Sequence, residues 1–240
     1  MAAVLYFGKD DKIVKTIQQA FQSMREEYGD ASTISHIQDE RALEEALIAM
    51  VFDVMFFEQS FLPDTPAKWI VQFKTGHPRV KSNYILVGDY TDMGLILPIL
   101  EAGWTDYVVN PPDKPLLIEK ISLYSTGQRT KDRQVYSLAL SQSADLAKPG
   151  HIEELSEFDC KLRTSYQVTQ NELAILYSKA FGSNLTTMGS AIGRCYKSEA
   201  HPTMKDHFLN HFSFVGVTPD VLQNIRTSLR KTYVASKGGG

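Results

Sequence analysis

With 240 residues, 43% of them hydrophobic, the chain is long enough for two ordinary globular domains with real cores. A count of 25 Lys+Arg against 28 Asp+Glu gives a formal net charge of -3, which argues against a broad basic face for DNA, RNA or an acidic membrane surface and makes any anion site a local one. Two cysteines exclude a disulfide framework, no apolar run is long enough to span a bilayer, and the opening MAAVLYFGKDD lacks the order of a signal peptide, so the cytosol is the expected compartment.

VLYF (4–7) is a short, continuously apolar run, and Ile13, Val14, Ile17, Phe21, Met24 and Tyr28 behind it mark one face of a helix. After TISHI (33–37), Leu43, Ala46, Leu47 and Met50 mark a second helical face, and FDVMFF (52–57) reads as a strand apolar on both sides. A helix near 66–75, strand NYILV (83–87), helix 91–102, strand DYVV (106–109) and helix 113–125 complete five βα units. Parallel strands need crossover connections, so the first half is expected to be a parallel sheet with helices on both faces, a doubly wound α/β fold.

Ligands of such sheets meet the loops at the carboxyl ends of the strands. Here those loops read GKDD, EQS, GDY and NPP after the first, third, fourth and fifth strands. Together with the phrase AGWTDYVVNPP they make residues 1–127 resemble the receiver domain of bacterial response regulators. In that family an acidic pair follows the first strand, a phosphoacceptor aspartate the third, a Thr or Ser the fourth, and a lysine before proline the fifth. Along VLYFGKDDKIV the acidic pair is replaced by Gly8 and Lys9, with Asp10 and Asp11 following. Glu58 stands in the acceptor place, Gly88 in the hydroxyl place and Asn110 in the lysine place. Phosphoryl transfer needs a carboxylate nucleophile, oxygen ligands for Mg²⁺ and a cation to offset developing charge, so the resemblance implies a pseudo-receiver that is not phosphorylated. Two readings of the loop cluster remain: Glu58 reaches Lys9 and holds the domain in one state, or the site has decayed to solvated charges. Asp10 and Asp11 read as a helix start, where carboxylates offset exposed N–H groups, rather than as metal ligands.

From about residue 134 the period changes. VYSLALS, GHIEELS, CKLRT, ELAILYS, AIGRCYKS and FLNHFSFVGV are short alternating or apolar stretches without helices between them, the pattern of an antiparallel sheet or small barrel of six strands. FGSN (181–184) reads as a hairpin turn. TPDVLQNIRTSLRKTY is expected to close the barrel as a helix, with Thr218 as N-cap, Pro219 at the first position, and Val221, Leu222, Ile225 and Leu229 on one face.

RTKDR lies just ahead of these strands, and ELSEFD (154–159) follows some twenty residues later. Barrel, closing helix and an RxxxR lead make residues 128–235 resemble the PilZ domain, a bacterial cyclic di-GMP receptor. Arg129 and Arg133 match RxxxR; ELSEFD stands at the family's [DN]xSxxG, keeping Ser156 but with Glu154 for Asp or Asn and Asp159 for glycine. The resemblance implies cyclic di-GMP as ligand. Guanidinium groups pair with phosphate oxygens or guanine O6 and N7, a carboxylate accepts from guanine N–H groups, and a serine adds a hydroxyl. Two arginines four apart lie about 6 Å from each other on a helix and about 13 Å in an extended segment, so such a clamp can order around its ligand on binding. The residue-level alternative is that RTKDR is ordinary linker charge.

His207 and His211 suit a strand, on which they stand about 13 Å apart, too far for one metal ion. Cys160 and Cys195 read as core thiols, and Trp69 and Trp104 as packing residues. No GxSxG, P-loop, HExxH or GxGxxG is present, and neither enzyme activity nor a cofactor is expected. The expected protein is a two-component-like signalling receptor acting on an unidentified protein partner, with self-association consistent with that role. A pure interaction module, with both sites degenerate, is the rival.

Overall fold

The computed structural model describes residues 2–28, 32–126, 138–145, 149–182 and 189–237. The chain divides into two compact units, Met1–Arg133 and Gln134–Gly240.

The first unit alternates β1 (Ala3–Phe7), α1 (Asp11–Tyr28), β2 (Thr33–Ile37), α2 (Glu40–Ala49), β3 (Val54–Glu58), α3 (Pro66–Gly76), β4 (Asn83–Gly88), α4 (Met93–Glu101), β5 (Asp106–Val109) and α5 (Lys114–Thr126). All four strand pairs are parallel, in the order β2-β1-β3-β4-β5, the doubly wound arrangement in which the chain reverses direction beside β1. The five expected βα units are therefore present, and α3, α4 and α5 begin and end within two residues of the ranges read from the sequence. Alternation along the buried strands sorts the core into two halves. Tyr6, Phe56, Ile85 and Val108 meet Ile13, Ile17, Phe21, Leu117 and Ile121 on one side. On the other, Phe57 anchors an aromatic group with Trp69, Phe73 and Trp104 at centroid distances of 4.8, 5.5 and 5.6 Å. Trp104 Nε1–H donates to the Pro66 carbonyl at 2.9 Å, so both tryptophans pack as the sequence suggests.

The second unit holds β6 (Leu138–Asp145), β7 (Pro149–Leu155), β8 (Asp159–Thr164), β9 (Leu173–Ser178), β10 (Gly189–Ala200), β11 (Phe208–Val215) and α6 (Pro219–Lys237). They form an antiparallel sheet ordered β9-β10-β11-β8-β7-β6 that curls until β6 and β9 meet at Asp145↔Tyr177. Its core contains Ile152, Leu155, Cys160, Leu162, Leu176, Cys195, Phe212 and Phe214, closed by Leu222, Ile225 and Leu229 of α6. Thr218 caps that helix, its Oγ1 accepting from the Val221 amide at 3.4 Å. At the expected FGSN turn, Lys179–Phe181 forms a 3-10 turn, and residues 183–188 lie outside the described residues.

Asn210, fully buried, is the polar knot of this core. Its Oδ1 accepts from the Val168 amide at 3.0 Å and from Ser198, and its Nδ2 donates to Thr164 Oγ1 at 2.8 Å and the Tyr166 carbonyl at 3.3 Å. Asn210→Ala strands the Val168 N–H, and urea unfolding followed by circular dichroism should show a loss of about 2 kcal/mol; a loss below about 0.5 would contradict this role.

Candidate functional site

In the first unit, the parallel register Tyr6↔Phe56 and Phe7↔Phe57 brings Gly8 level with Glu58, the last residue of β3. Glu58 Oε2 accepts three hydrogen bonds: from the Lys9 amide at 2.7 Å, the Asp10 amide at 2.9 Å and Tyr6 Oη at 2.9 Å. Ser60 Oγ donates to Oε1. Burial alone would raise the Glu58 pKa, but these donors, Ser60 and the two amides foremost, outweigh it and hold the carboxyl below its usual value. Burial, with the Glu58 hydrogen bond and charge, pushes the Tyr6 phenol far upward, so it stays a donor.

This arrangement matches neither reading drawn from the sequence. Lys9 contributes its backbone amide, while its ammonium lies 4.9 Å from the centre of the Phe61 ring, so the expected side-chain pairing with Glu58 is replaced by a cation–π contact. Nor is Glu58 a solvated remnant, since its Oε2 holds three donors. Asp10 caps α1, its Oδ1 accepting from the Lys12 amide at 2.8 Å, and Asp11 is the first helical residue.

The space that a longer side chain at position 8 or 88 would need is already filled. A Cβ on Gly8 would lie 2.6 Å from Glu58 Cβ and Oε2 and 2.7 Å from Tyr6 Oη. A Cβ on Gly88 would lie 1.9 Å from Gln59 Oε1 and 2.7 Å from Tyr107 Oη. Tyr107 Oη donates to Gln59 Oε1 at 3.3 Å and accepts from the Tyr90 amide at 2.6 Å; burial pushes its pKa upward. Asn110 Nδ2 donates to Asp89 Oδ1 at 3.2 Å, tying the loops after β4 and β5 together. Sequence reasoning found Glu58, Gly88 and Asn110 but missed Tyr6, Gln59, Ser60 and Tyr107. The signal available for two of them was the EQS loop itself, where Gln59 and Ser60 follow Glu58 directly.

In the second unit, Ser156 and Asp159 span the tight turn between β7 and β8. Ser156 Oγ accepts from the Phe158 amide at 3.1 Å and the Asp159 amide at 3.0 Å, and donates to Asp159 Oδ1. Asp159 Oδ2 accepts from Tyr196 Oη at 3.4 Å. Both residues are buried. Glu154 does not join them. A register shift between Ile152 and Glu154 sends Ile152 and Leu155 together into the core and leaves Glu154 opposite Lys161, whose Nζ lies 2.7 Å from Glu154 Oε2. Tyr196 and Lys161 carried no motif signal, because only the strand register brings them to this turn. Arg129 and Arg133 lie outside the described residues.

His211 Nε2 pairs with Glu199 Oε1 at 3.0 Å, while His207 Nδ1 meets the Lys205 carbonyl at 3.0 Å. Burial lowers the His211 pKa more than Glu199 raises it. Among the described residues no three His, Cys, Asp or Glu side chains come together to hold a metal ion, and no helix is long and apolar enough to cross a membrane.

No protein-family model matches the chain, and no curated protein matches it. Among solved structures it is similar to the receiver domain of a DNA-binding response regulator from Colwellia psychrerythraea, at 12% identity over 51% of this chain and 96% of that one, TM-score 0.43. A two-component response regulator from Clostridium difficile gives 14% identity over 52% and 95%, TM-score 0.42. The inhibitor of motility of Bacillus subtilis gives 8% identity over 45% and 54%, TM-score 0.39.

Proposed function

We propose that the chain is a non-catalytic, cytosolic signalling protein in which a pseudo-receiver that takes no phosphoryl group is joined to a PilZ-like barrel that binds cyclic di-GMP. The carboxylate at the end of β3 supports the first half: its Oε2 already holds three donors, and the neighbouring ends of β1 and β4 offer Gly8 and Gly88 in place of metal and hydroxyl ligands.

One observation carries the second half. β6 enters the sheet with Leu138 paired to Leu155, the residue before Ser156, so the first strand of the barrel begins beside the Ser156–Asp159 turn. Arg133 stands five residues before Leu138 in the sequence and Arg129 nine. RTKDR thus precedes, in sequence, the strand that pairs next to the turn standing at the family's second motif. In this reading, binding changes the surface offered to a protein partner, so the output is a docking event and not a reaction. Isothermal titration of the full chain with cyclic di-GMP is expected to give saturable heat that falls at least tenfold in affinity for Arg129→Ala and for Arg133→Ala, a loss of about 1.4 kcal/mol or more each. No heat, or heat unchanged in both variants, overturns the reading.

A second reading, a ligand-independent interaction module, is favoured by the saturation of Ser156 Oγ within its own turn and by the Glu154–Lys161 ion pair. It predicts no heat in the titration and partner binding that survives both arginine substitutions.

A further inference from the structure

We infer that the carboxyl end of the first unit's sheet is an anion receptor, and that the anion it holds is the chain's own Glu58 carboxylate. Three donors converge on one oxygen, two of them backbone amides and the third the hydroxyl of fully buried Tyr6. Ser60 Oγ completes the shell on Oε1. Backbone N–H groups fixed by a loop and a neutral phenol favour negative charge and repel cations. The polarity is therefore the reverse of a divalent-cation site, which needs converging oxygens. At the position where the resemblance places an acidic pair, this chain has a residue with no side chain and a lysine that turns its amide inward and its ammonium outward over Phe61.

The fit is sterically exclusive. Gly8 leaves the Glu58 carboxylate just enough room, since a Cβ there would lie 2.6 Å from Oε2. On the opposite rim the Gln59 side chain covers Gly88 and is held by Tyr107 Oη. The occupied cradle ties the start of α1 to the end of β3 with hydrogen bonds to a charged acceptor, the strong kind. It acts as an internal ligand that fixes the two loops in one arrangement. This inference deepens the proposed pseudo-receiver and rests on it, while its test involves neither the dinucleotide nor the arginines, so the two can fail separately.

Removing the carboxylate should empty the cradle for a small external one. In the full chain, Glu58→Ala is expected to lower the melting temperature read by tryptophan fluorescence by roughly 5 °C, since both tryptophans belong to this unit. Sodium formate should then raise the midpoint of Glu58→Ala by more than it raises that of the parent, whereas magnesium chloride at matched ionic strength should do no more than sodium chloride. Hydrogen exchange at the Lys9 and Asp10 amides should quicken in the variant and slow again with formate. An unchanged melting temperature, formate acting alike on parent and variant, or stabilisation by magnesium overturns the inference. If Glu58→Ala does not fold, Glu58→Gln keeps the shape without the charge: about tenfold faster exchange at those two amides supports the cradle, and parent-like exchange overturns it.

Discussion

Lys120→Met is expected to lower the stability of the first unit by about 3–5 kcal/mol, the cost of leaving one charge of a buried pair without its partner. Lys120 Nζ on α5 contacts Asp106 Oδ2 at the start of β5, and neither side chain is more than 5% exposed. Tyr124 Oη donates to the same oxygen at 2.8 Å, and the Tyr107 amide donates to Asp106 Oδ1 at 2.7 Å. The Asp106 carboxylate thus fastens one whole face of α5 to the sheet edge, with Tyr124 also accepting from Asn83 Nδ2 through its carbonyl at 2.8 Å. Urea unfolding followed by tryptophan fluorescence reads this unit alone, because Trp69 and Trp104 both lie within it. The double variant Asp106→Leu/Lys120→Met should recover most of the loss, since an apolar pair of similar volume replaces a buried ion pair at little cost. A loss below about 1 kcal/mol for Lys120→Met would mean that the pair is solvated rather than buried.

That pair marks the boundary of what the sequence discloses. The helix over 113–125 is legible from its apolar residues, yet α5 buries Leu116, Leu117, Ile118, Glu119, Lys120, Ile121 and Ser122 in succession, so no polar face betrays which charge is internal. Asp106 is fourteen residues away, and only the packing of α5 on β5 joins them. The second unit repeats the lesson. Its strands are legible from alternation, whereas the register shift at Ile152/Glu154 has no sequence signature, and it decides that Glu154 leaves the Ser156–Asp159 turn for Lys161. In the first unit Glu58 could be placed by counting to the end of an apolar strand. The three donors to its Oε2 could not, because two are backbone amides, which every residue but proline has, and the third is a tyrosine that reads as core.

Gly8→Asp, which introduces a carboxylate where the resembled receiver pattern has one, is expected to damage this protein. Gly8 has no left-handed backbone to protect; its amide donates to the Ile37 carbonyl at 3.1 Å, and the constraint is space. The new Cβ would fall 2.6 Å from Glu58 Cβ, an atom that cannot swing aside without moving the end of β3. The new carboxylate would also stand against one that already holds the local donors. Overpacking of this kind costs about 1–3 kcal/mol, and like charge in a partly buried site adds to it, so a loss of about 3 kcal/mol is expected in tryptophan-detected unfolding. Removing the obstruction should show the cause: in Gly8→Asp/Glu58→Ala the aspartate can occupy the vacated volume, and the two substitutions should be non-additive by more than about 1 kcal/mol. Additive losses would place the strain elsewhere, and an undamaged Gly8→Asp that gains stability from magnesium would mean that the loop can still gather a cation, contrary to the donor geometry around Glu58.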